Sequence, residues 1–181
     1  RIIDGSEIAV GDRIIGITAS GIHSNGFSLV RKVMLEQHRY ALTDHIPSLG
    51  RTLGEELLEP TKIYVETILN LLRDFSLAGI AHITGGGLSD NIPRILPQSC
   101  QAVINRRNWP RPAIFNLLQE KGDIPEEEMW RVFNNGIGMV VVVGEEYEVE
   151  IMQRLTALGE TAYVLGEIVH RKNGDPALIY L

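Results

Sequence analysis

Residues 82–94 read HITGGGLSDNIPR, and three consecutive glycines stand at their centre. An apolar, strand-like run at residues 77–83 leads into the glycines, and a typical helix start follows them. Three glycines cost backbone entropy and pack no side chain, so they indicate a required conformation or a close approach. The loop is either a loose strand-to-helix turn or a site where backbone N–H groups meet an anion. The flanking His82, Thr84 and Asn91 favour a phosphate or polar-ligand site.

A second polar loop lies between a strand and a helix earlier in the chain. Residues 20–26 read SGIHSNG and follow an isoleucine-rich strand at residues 13–18. In α/β folds, ligand groups commonly lie at such loops. Serine and asparagine side chains also cap helices, so a capping turn is the alternative. Capping does not require His23, whose imidazole can bind an anion, hold a substrate oxygen or move a proton.

Strands and helices alternate along the chain, which predicts the α/β (α+β) class: a layered α/β/α domain with a mixed, mostly covered sheet. Residues 137–143, IGMVVVV, predict a central strand, because an uninterrupted apolar run is typical of burial on both faces. No linker is evident, so we expect residues 1–181 to form one domain. The other predicted strands are 101–105, 162–169 and the edge strand 177–181. The predicted helices are 27–37, 51–58, 63–75, one ending near 96, 113–121, 125–133 and 145–158.

Two helices show an apolar stripe at helical spacing. In residues 63–75 the predicted buried face consists of Tyr64, Ile68, Leu72 and Phe75. In residues 145–158 it consists of Tyr147, Ile151, Met152, Leu155 and Leu158. Outside these helices we interpret Trp109, Trp130 and Cys100 as packing residues.

Composition excludes several classes of protein. The net charge of −6 over 181 residues argues against a nucleic-acid surface, because phosphate backbones require a basic footprint. A single cysteine excludes an internal disulfide and a cysteine-based metal site, and no membrane span or signal peptide is evident. We therefore expect a cytoplasmic protein without nucleic-acid or membrane partners. The sequence lacks the HExxH, GxxxxGK[ST] and GxSxG motifs. Because it begins with Arg1, we expect a piece of a longer chain.

Four stretches resemble, in order, the C-terminal half of the aminoimidazole ribonucleotide synthetase family, also called phosphoribosylformylglycinamidine cyclo-ligase. They are SGIHSNGFSLVRK (20–32), EPTKIYV (59–65), HITGGGLSDNIPR (82–94) and FNNGIGMVVVV (133–143), and YVLGEI at 163–168 agrees. One position departs from the family pattern, because Asn135 stands where the family has methionine. The preceding Asn134 either makes the turn into the strand or faces the same cleft as the loops.

The resemblance implies an enzyme of de novo purine biosynthesis. It would use ATP to cyclise formylglycinamidine ribonucleotide to aminoimidazole ribonucleotide, in a cleft between an N-terminal and a C-terminal domain. This chain resembles only the C-terminal domain. ATP and Mg²⁺ would be bound mainly by the N-terminal domain, which is absent from this chain. That domain would also form most of the homodimer interface. The isolated domain is therefore expected to be inactive and to supply one wall of the cleft.

The resemblance also implies roles for matched residues. His23 is the expected catalytic residue, and no metal ligand is expected in this half. The expected substrate contacts are Ser24, Asn25, His82, Thr84, Gly85, Gly86, Gly87 and Asn91. Two of these keep a structural alternative, His82 as a core histidine and Asn91 as a support of the loop. Two alternative functions also stay open: a sister ATP-dependent enzyme of the formylglycinamidine ribonucleotide synthetase, selenophosphate synthetase or thiamine-phosphate kinase type, or a non-catalytic ligand-binding domain.

Overall fold

The computed structural model describes residues 2–181, so Arg1 lies outside the described part. Strands and helices alternate as predicted. The elements in chain order are β1 (Arg13–Thr18), α1 (Phe27–Val30) with a continuing π-helix (Arg31–Gln37), β2 (His45–Ile46), β3 (Arg51–Thr52), α2 (Leu53–Leu57), α3 (Val65–Asp74), β4 (Leu77–His82), α4 (Gly87–Asn91) with a 3₁₀ turn (Pro93–Ile95), β5 (Cys100–Ile104), α5 (Ala113–Gly122), α6 (Glu126–Val132), β6 (Ile137–Val143), a 3₁₀ turn (Glu145–Tyr147), α7 (Glu148–Ala157), β7 (Ala162–His170) and β8 (Leu178–Tyr180).

Six strands form one mixed sheet in the order β4-β6-β1-β7-β5-β8. Neighbouring strands are antiparallel except β5 and β8, which are parallel. Every residue of β6 is buried, which confirms the prediction of a strand covered on both faces. The predicted α/β class with a mixed sheet is confirmed.

Side chains of β6 alternate between two hydrophobic clusters, as the pleat of a strand requires. Met139, Val141 and Val143 join a cluster with α3 and α7 on one face of the sheet. Val140 and Val142 join a cluster with α4 and α6 on the other face. A third cluster packs α1, the π-helix, α2 and α5 against α6. The sheet thus lies between helical layers, as predicted.

The predicted buried stripe of α3 is wrong at one position. Leu72 is 37% exposed, whereas Thr67 and Leu71 are buried. Thr67 was missed because its burial depends on a hydrogen bond, in which its hydroxyl donates to Glu160 at 2.7 Å. Leu158, predicted to be buried beside α7, is 40% exposed. Residues 51–58, predicted as one short helix, begin instead with β3, which pairs with β2.

The prediction that the two tryptophans pack is confirmed. Trp109 and Trp130 are buried and meet edge to face, with ring centroids 5.7 Å apart. Cys100 is buried as predicted. Within residues 2–181, no helix combines the length and the apolar character needed to cross a membrane.

Sheet topology brings the two polar loops to one edge. Both β1 and β4 run antiparallel to β6, so they point in the same direction. Their last residues therefore lie along the edge of the sheet formed by strand ends, where β6 begins. In register, Thr18 pairs with Ile137 and His82 pairs with Met139. The loop after β1 and the loop after β4 therefore leave the sheet side by side.

Candidate functional site

His23 is buried in the loop after β1, with 4% of its surface exposed and a left-handed backbone (φ 59°). The backbone N–H groups of Ser20 and Lys62 point at its Nε2 atom, at nitrogen–nitrogen distances of 3.2 and 3.5 Å. Because Nε2 accepts these hydrogen bonds, we assign the proton of the neutral ring to Nδ1. The Nδ1 atom is buried and has no hydrogen-bond partner among the described residues.

The protonation of His23 follows from this environment. Burial, together with the nearby His82 and Lys62, lowers the pKa of His23 to about 4. At neutral pH the imidazole is therefore uncharged. A ring with an occupied Nε2 and a low pKa is a weak base, so its geometry favours fixing the loop over accepting a proton.

Two other side chains of this loop face outward. Ser24 is exposed, and its hydroxyl lies 3.2 Å from the hydroxyl of Thr61. Asn25 is half-buried, and its Oδ1 atom would lie 3.7 Å from a Cβ atom at Gly85. The loop after β1 therefore meets the glycine loop at Asn25, which brings the two predicted groups of site residues together.

Asn134 holds the loop after β1 from beneath. Its side chain is fully buried, and its Nδ2 atom donates to the carbonyls of Gly21 (2.9 Å) and Ile22 (3.3 Å). Its Oδ1 atom accepts from the N–H of Gly136 at 2.8 Å. Of the two interpretations left open for Asn134, the geometry supports the turn. The adjacent Asn135 has a left-handed backbone (φ 48°), a conformation that asparagine tolerates better than most residues.

Two of the three glycines are explained by the fold of their own loop. Gly86 and Gly87 have positive φ angles of 95° and 57°. A Cβ atom at Gly87 would lie 2.3 Å from the carbonyl oxygen of Trp130, so the close approach there is to protein backbone. Gly85 is exposed and is not held in the left-handed region. Its missing side chain has no packing explanation, so Gly85 is the glycine whose place fits contact with a ligand.

Asn91 supports the glycine loop from inside. Its Nδ2 atom donates to the carbonyls of Gly87 (2.8 Å), Gly85 (3.2 Å) and Thr84 (3.4 Å). Its Oδ1 atom accepts from the hydroxyl of Thr84 at 3.2 Å and from Arg94 at 3.3 Å. Because these groups are engaged within the loop, we assign Asn91 the structural role that the sequence left open. Helix α4 has only five residues, so its dipole adds little to an anion site.

His82 lies at the end of β4 with its side chain exposed, so the alternative of a core histidine is wrong. Its ring lies near Tyr64, with centroids 6.1 Å apart, and the centroid of Tyr64 lies 6.3 Å from that of His23. An exposed imidazole at the edge of the loops can contact a ligand directly.

Cavities adjoin the site but do not enclose it. A cavity of about 300 Å³ lies beside the loop after β1 and is lined by Ser20, Gly21, Arg51 and the start of α5. In the described part of the chain, no three or more His, Cys, Asp or Glu side chains are grouped to hold a metal ion.

Residues 9–178 match the family model described as AIR synthase related protein, C-terminal domain. The chain belongs to this family.

Curated relatives of this AIR synthase related domain carry one name. The chain is 57% identical over 168 residues to the phosphoribosylformylglycinamidine cyclo-ligase of Citrifermentans bemidjiense, a match covering 93% of this chain and 48% of the relative. It is 54% identical over 178 residues to the protein of the same name from Syntrophotalea carbinolica, covering 98% and 51%. The chain therefore spans about half the length of the curated relatives it matches.

Solved structures share the fold at low sequence identity. A thiamine-monophosphate kinase from Stenotrophomonas maltophilia matches with a TM-score of 0.65 and 16% identity, over 98% of this chain and 52% of the other. The hydrogenase maturation protein HypE of E. coli gives 0.59 and 16%, over 97% and 47%. PurL of T. maritima, complexed with AMPPCP, gives 0.51 and 13%, over 93% and 23%. These likenesses show the fold alone.

Three residues of the AIR synthase related domain lie beside the candidate site but carry no role predicted from the sequence. Thr61, Lys62 and Tyr64 all lie in the EPTKIYV stretch, which was matched as a motif but given no role. Lys62 forms an ion pair with Glu160, whose side chain is 8% exposed. In the sequence, the motif itself is the one sign of their place beside the loops, because this segment and the loop after β1 are far apart along the chain.

Proposed function

We propose that this domain forms one wall of the active site of a phosphoribosylformylglycinamidine cyclo-ligase. The observation that carries the proposal is the meeting of two polar loops at one sheet edge, where Ser24, Asn25, His82 and Gly85 present groups for a ligand. Relatives that are 57% and 54% identical carry the enzyme's name and support the choice among enzymes of this fold. This chain covers only 48% and 51% of these relatives, which supports a second half of the protein that completes the site.

In the proposed reaction, ATP transfers its γ-phosphoryl group to the formamide oxygen of formylglycinamidine ribonucleotide. The amidine nitrogen attacks the activated carbon, the imidazole ring closes, and phosphate leaves with the oxygen. The attacking nitrogen also loses a proton. Such chemistry requires the protein mainly to position the reactants and stabilise charge. Ser24, Asn25 and Thr84 offer hydroxyl and amide groups to the substrate, and Gly85 lets its backbone approach closely.

His82 is better suited than His23 to transfer a proton. The family resemblance implies a catalytic role for His23, but the burial of His23, its occupied Nε2 atom and its low pKa all disfavour proton uptake at neutral pH. His82 is exposed at the same edge. In the proposal, His23 fixes the loop after β1 and His82 contacts the reacting molecule.

A magnesium ion does not fit this half of the site. The donors at the two loops are imidazole, hydroxyl and amide groups, whereas Mg²⁺ prefers carboxylate and phosphate oxygens. We therefore derive no step through Mg²⁺ from this chain. ATP and Mg²⁺ are assigned mainly to the N-terminal half, which is also proposed to form the homodimer of a cytoplasmic enzyme.

The test is an assay of the full-length enzyme for ATP-dependent formation of aminoimidazole ribonucleotide. The wild type is expected to form product, and the 181-residue chain alone is expected to form none. His82→Ala is expected to lower kcat by about 100-fold, the usual contribution of a positioned acid or base. Its Tm should change little, because the side chain is exposed.

His170→Ala provides the matched control, because His170 is an exposed histidine at the opposite end of the sheet. It should leave kcat unchanged. Conversion of ATP to ADP that depends on thiamine monophosphate or another substrate, without formation of aminoimidazole ribonucleotide, would replace the proposal with a sister enzyme. Ligand binding without any turnover would indicate a non-catalytic domain.

A further inference from the structure

Tyr64 lies close to both histidines of the site. Its side chain is buried, with 4% of the residue exposed, and it directly precedes α3. Its ring centroid lies 6.3 Å from that of the buried His23 and 6.1 Å from that of the exposed His82, with both rings tilted by about 60°. No other described residue makes ring contacts with both imidazoles.

The hydroxyl of Tyr64 fixes the position of its ring. It donates a hydrogen bond to the carbonyl of Thr18, the last residue of β1, at 2.9 Å. A Cβ atom at Gly138 would lie 2.0 Å from this hydroxyl and 2.7 Å from the Cε1 atom of His23. Glycine at the start of β6 is therefore required to make room for the tyrosine. The ring is tied to β1 and fitted against β6 at the edge where the loops leave the sheet.

The segment before Tyr64 is tied to the loop after β1. The hydroxyl of Ser20 donates to the carbonyl of Pro60 at 2.6 Å, and the N–H of Lys62 points at His23. The ammonium group of Lys62 lies 5.5 Å from the centroid of the Tyr64 ring and is paired with Glu160. Tyr64 cannot move without disturbing these contacts, so its ring is a fixed surface beside His82.

We propose that Tyr64 is a positioning residue, whose ring orients the imidazole of His82 toward the reacting molecule. The inference rests on the proposed function of the site. His82 is exposed and would otherwise sample several rotamers, and an aromatic surface on one side restricts that freedom. With 4% of its surface exposed, Tyr64 acts in this proposal through His82 and not by its own contact with the reacting molecule. The hydroxyl of Tyr64 only helps to hold the ring in place. The orientation of His82 therefore depends more on the aromatic ring than on the hydroxyl.

The first measurement uses the 181-residue chain and needs no activity. Ring-proton and ring-nitrogen NMR signals of His82 are recorded in the wild type, Tyr64→Phe and Tyr64→Met. In the wild type we expect nuclear Overhauser contacts between the rings of Tyr64 and His82, and signals shifted by the tyrosine ring current. Tyr64→Phe should retain the shift, and Tyr64→Met should move the His82 signals toward those of a free histidine.

The matched control is Tyr147→Met. Tyr147 packs in the same hydrophobic cluster as Tyr64 but contacts Phe75, away from both histidines. Its replacement should lower Tm comparably and leave the His82 signals unchanged. If His82 has the same signals in Tyr64→Met as in the wild type, or lacks contacts with the Tyr64 ring in the wild type, the proposal is overturned.

The second measurement uses the full-length enzyme. Tyr64→Met is expected to lower kcat by about 10- to 100-fold with a smaller change in KM, because misplacing a reacting group mainly affects the transition state. Tyr64→Phe should retain most of the wild-type kcat. A wild-type enzyme without cyclo-ligase activity would end the proposed function, whereas an active enzyme in which Tyr64→Met equals Tyr147→Met would end only this inference. If Tyr64→Met does not fold, a kcat of Tyr64→Phe as low as that of His82→Ala overturns it.

Discussion

The loop after β1 and the glycine loop after β4 look alike in sequence but are held in different ways. Each follows a strand, precedes a helix and is supported by one buried asparagine. Asn134 reaches the loop after β1 from a turn more than 110 residues away in sequence. Asn91 belongs to the helix that begins within the glycine loop and bonds residues four to seven positions before it.

The imidazoles of the two loops also differ. His23 is enclosed, with backbone N–H groups directed at Nε2, whereas His82 is exposed at a strand end. The loop after β1 is therefore a fixed support tied to distant parts of the chain. The glycine loop is held mainly by Asn91 of the helix that follows it, and it leaves Gly85 and His82 exposed. A shared strand–loop–helix pattern thus predicts the location of a site but not the role of each residue in it.

The largest expected effect separates Gly87 from Gly85. Gly87→Ala should lower the free energy of unfolding by about 4 kcal/mol, because the new methyl group meets the Trp130 carbonyl and the backbone is left-handed. Gly85→Ala should change it by about 0.5 kcal/mol or less. Urea denaturation of both variants measures the difference. Equal losses would show that all three glycines serve the fold.

The next effect compares the two asparagines. Asn134→Ala leaves two carbonyls and one N–H group buried without partners and should cost about 3 kcal/mol. Asn91→Ala should cost about 1–2 kcal/mol, because it removes a donor from the buried carbonyl of Gly87, whereas the freed groups of Thr84 and Gly85 are accessible enough to bind water. Urea denaturation gives the costs, and limited proteolysis locates the opening. A cost for Asn91→Ala above that of Asn134→Ala would reverse the comparison.

A third effect tests the enclosure of His23 through pH. Its folded-state pKa of about 4 lies below the unfolded value of 6.5, so the unfolded chain takes up a proton first as pH falls. The free energy of unfolding should therefore be fully retained above pH 6.5 and fall by about 2–3 kcal/mol as pH approaches 4.

His23→Asn should remove this part of the pH dependence, because asparagine tolerates the left-handed backbone and does not titrate. His170→Gln, at an exposed histidine, is the control and should retain it. Urea denaturation between pH 7 and pH 4 provides the measurement. A pH dependence in His23→Asn equal to that of the wild type would show that His23 is not enclosed in solution.

The smallest effect concerns Ser24. Its hydroxyl is exposed and makes one side-chain contact, with Thr61, so Ser24→Ala should lower stability by about 0.5 kcal/mol or less. Ser20→Ala should cost about 1 kcal/mol, because that hydroxyl donates to a backbone carbonyl at 2.6 Å. Thermal unfolding of both variants tests the order.

Much of the fold could be predicted because its signals are local. The apolar run of β6 and the turn residues around it indicated a buried strand with correct bounds, and the two polar loops indicated the site. The burial of Thr67 could not be predicted, since its hydroxyl bonds Glu160, which is more than 90 residues away in sequence. The burial of His23 depends likewise on the N–H of Lys62. The role of Gly87 required knowledge of the Trp130 backbone that it meets.

The position of β6 has a consequence for hydrogen exchange. Its amides lie between β1 and β4 and are buried along the whole strand, so they exchange only when the sheet opens. Their exchange rates therefore report the free energy of global unfolding, whereas amides of the glycine loop report local opening. A ligand that binds only the folded chain slows global opening by mass action. The exchange rates of the β6 amides therefore measure the affinity of such a ligand, even if the ligand does not contact β6.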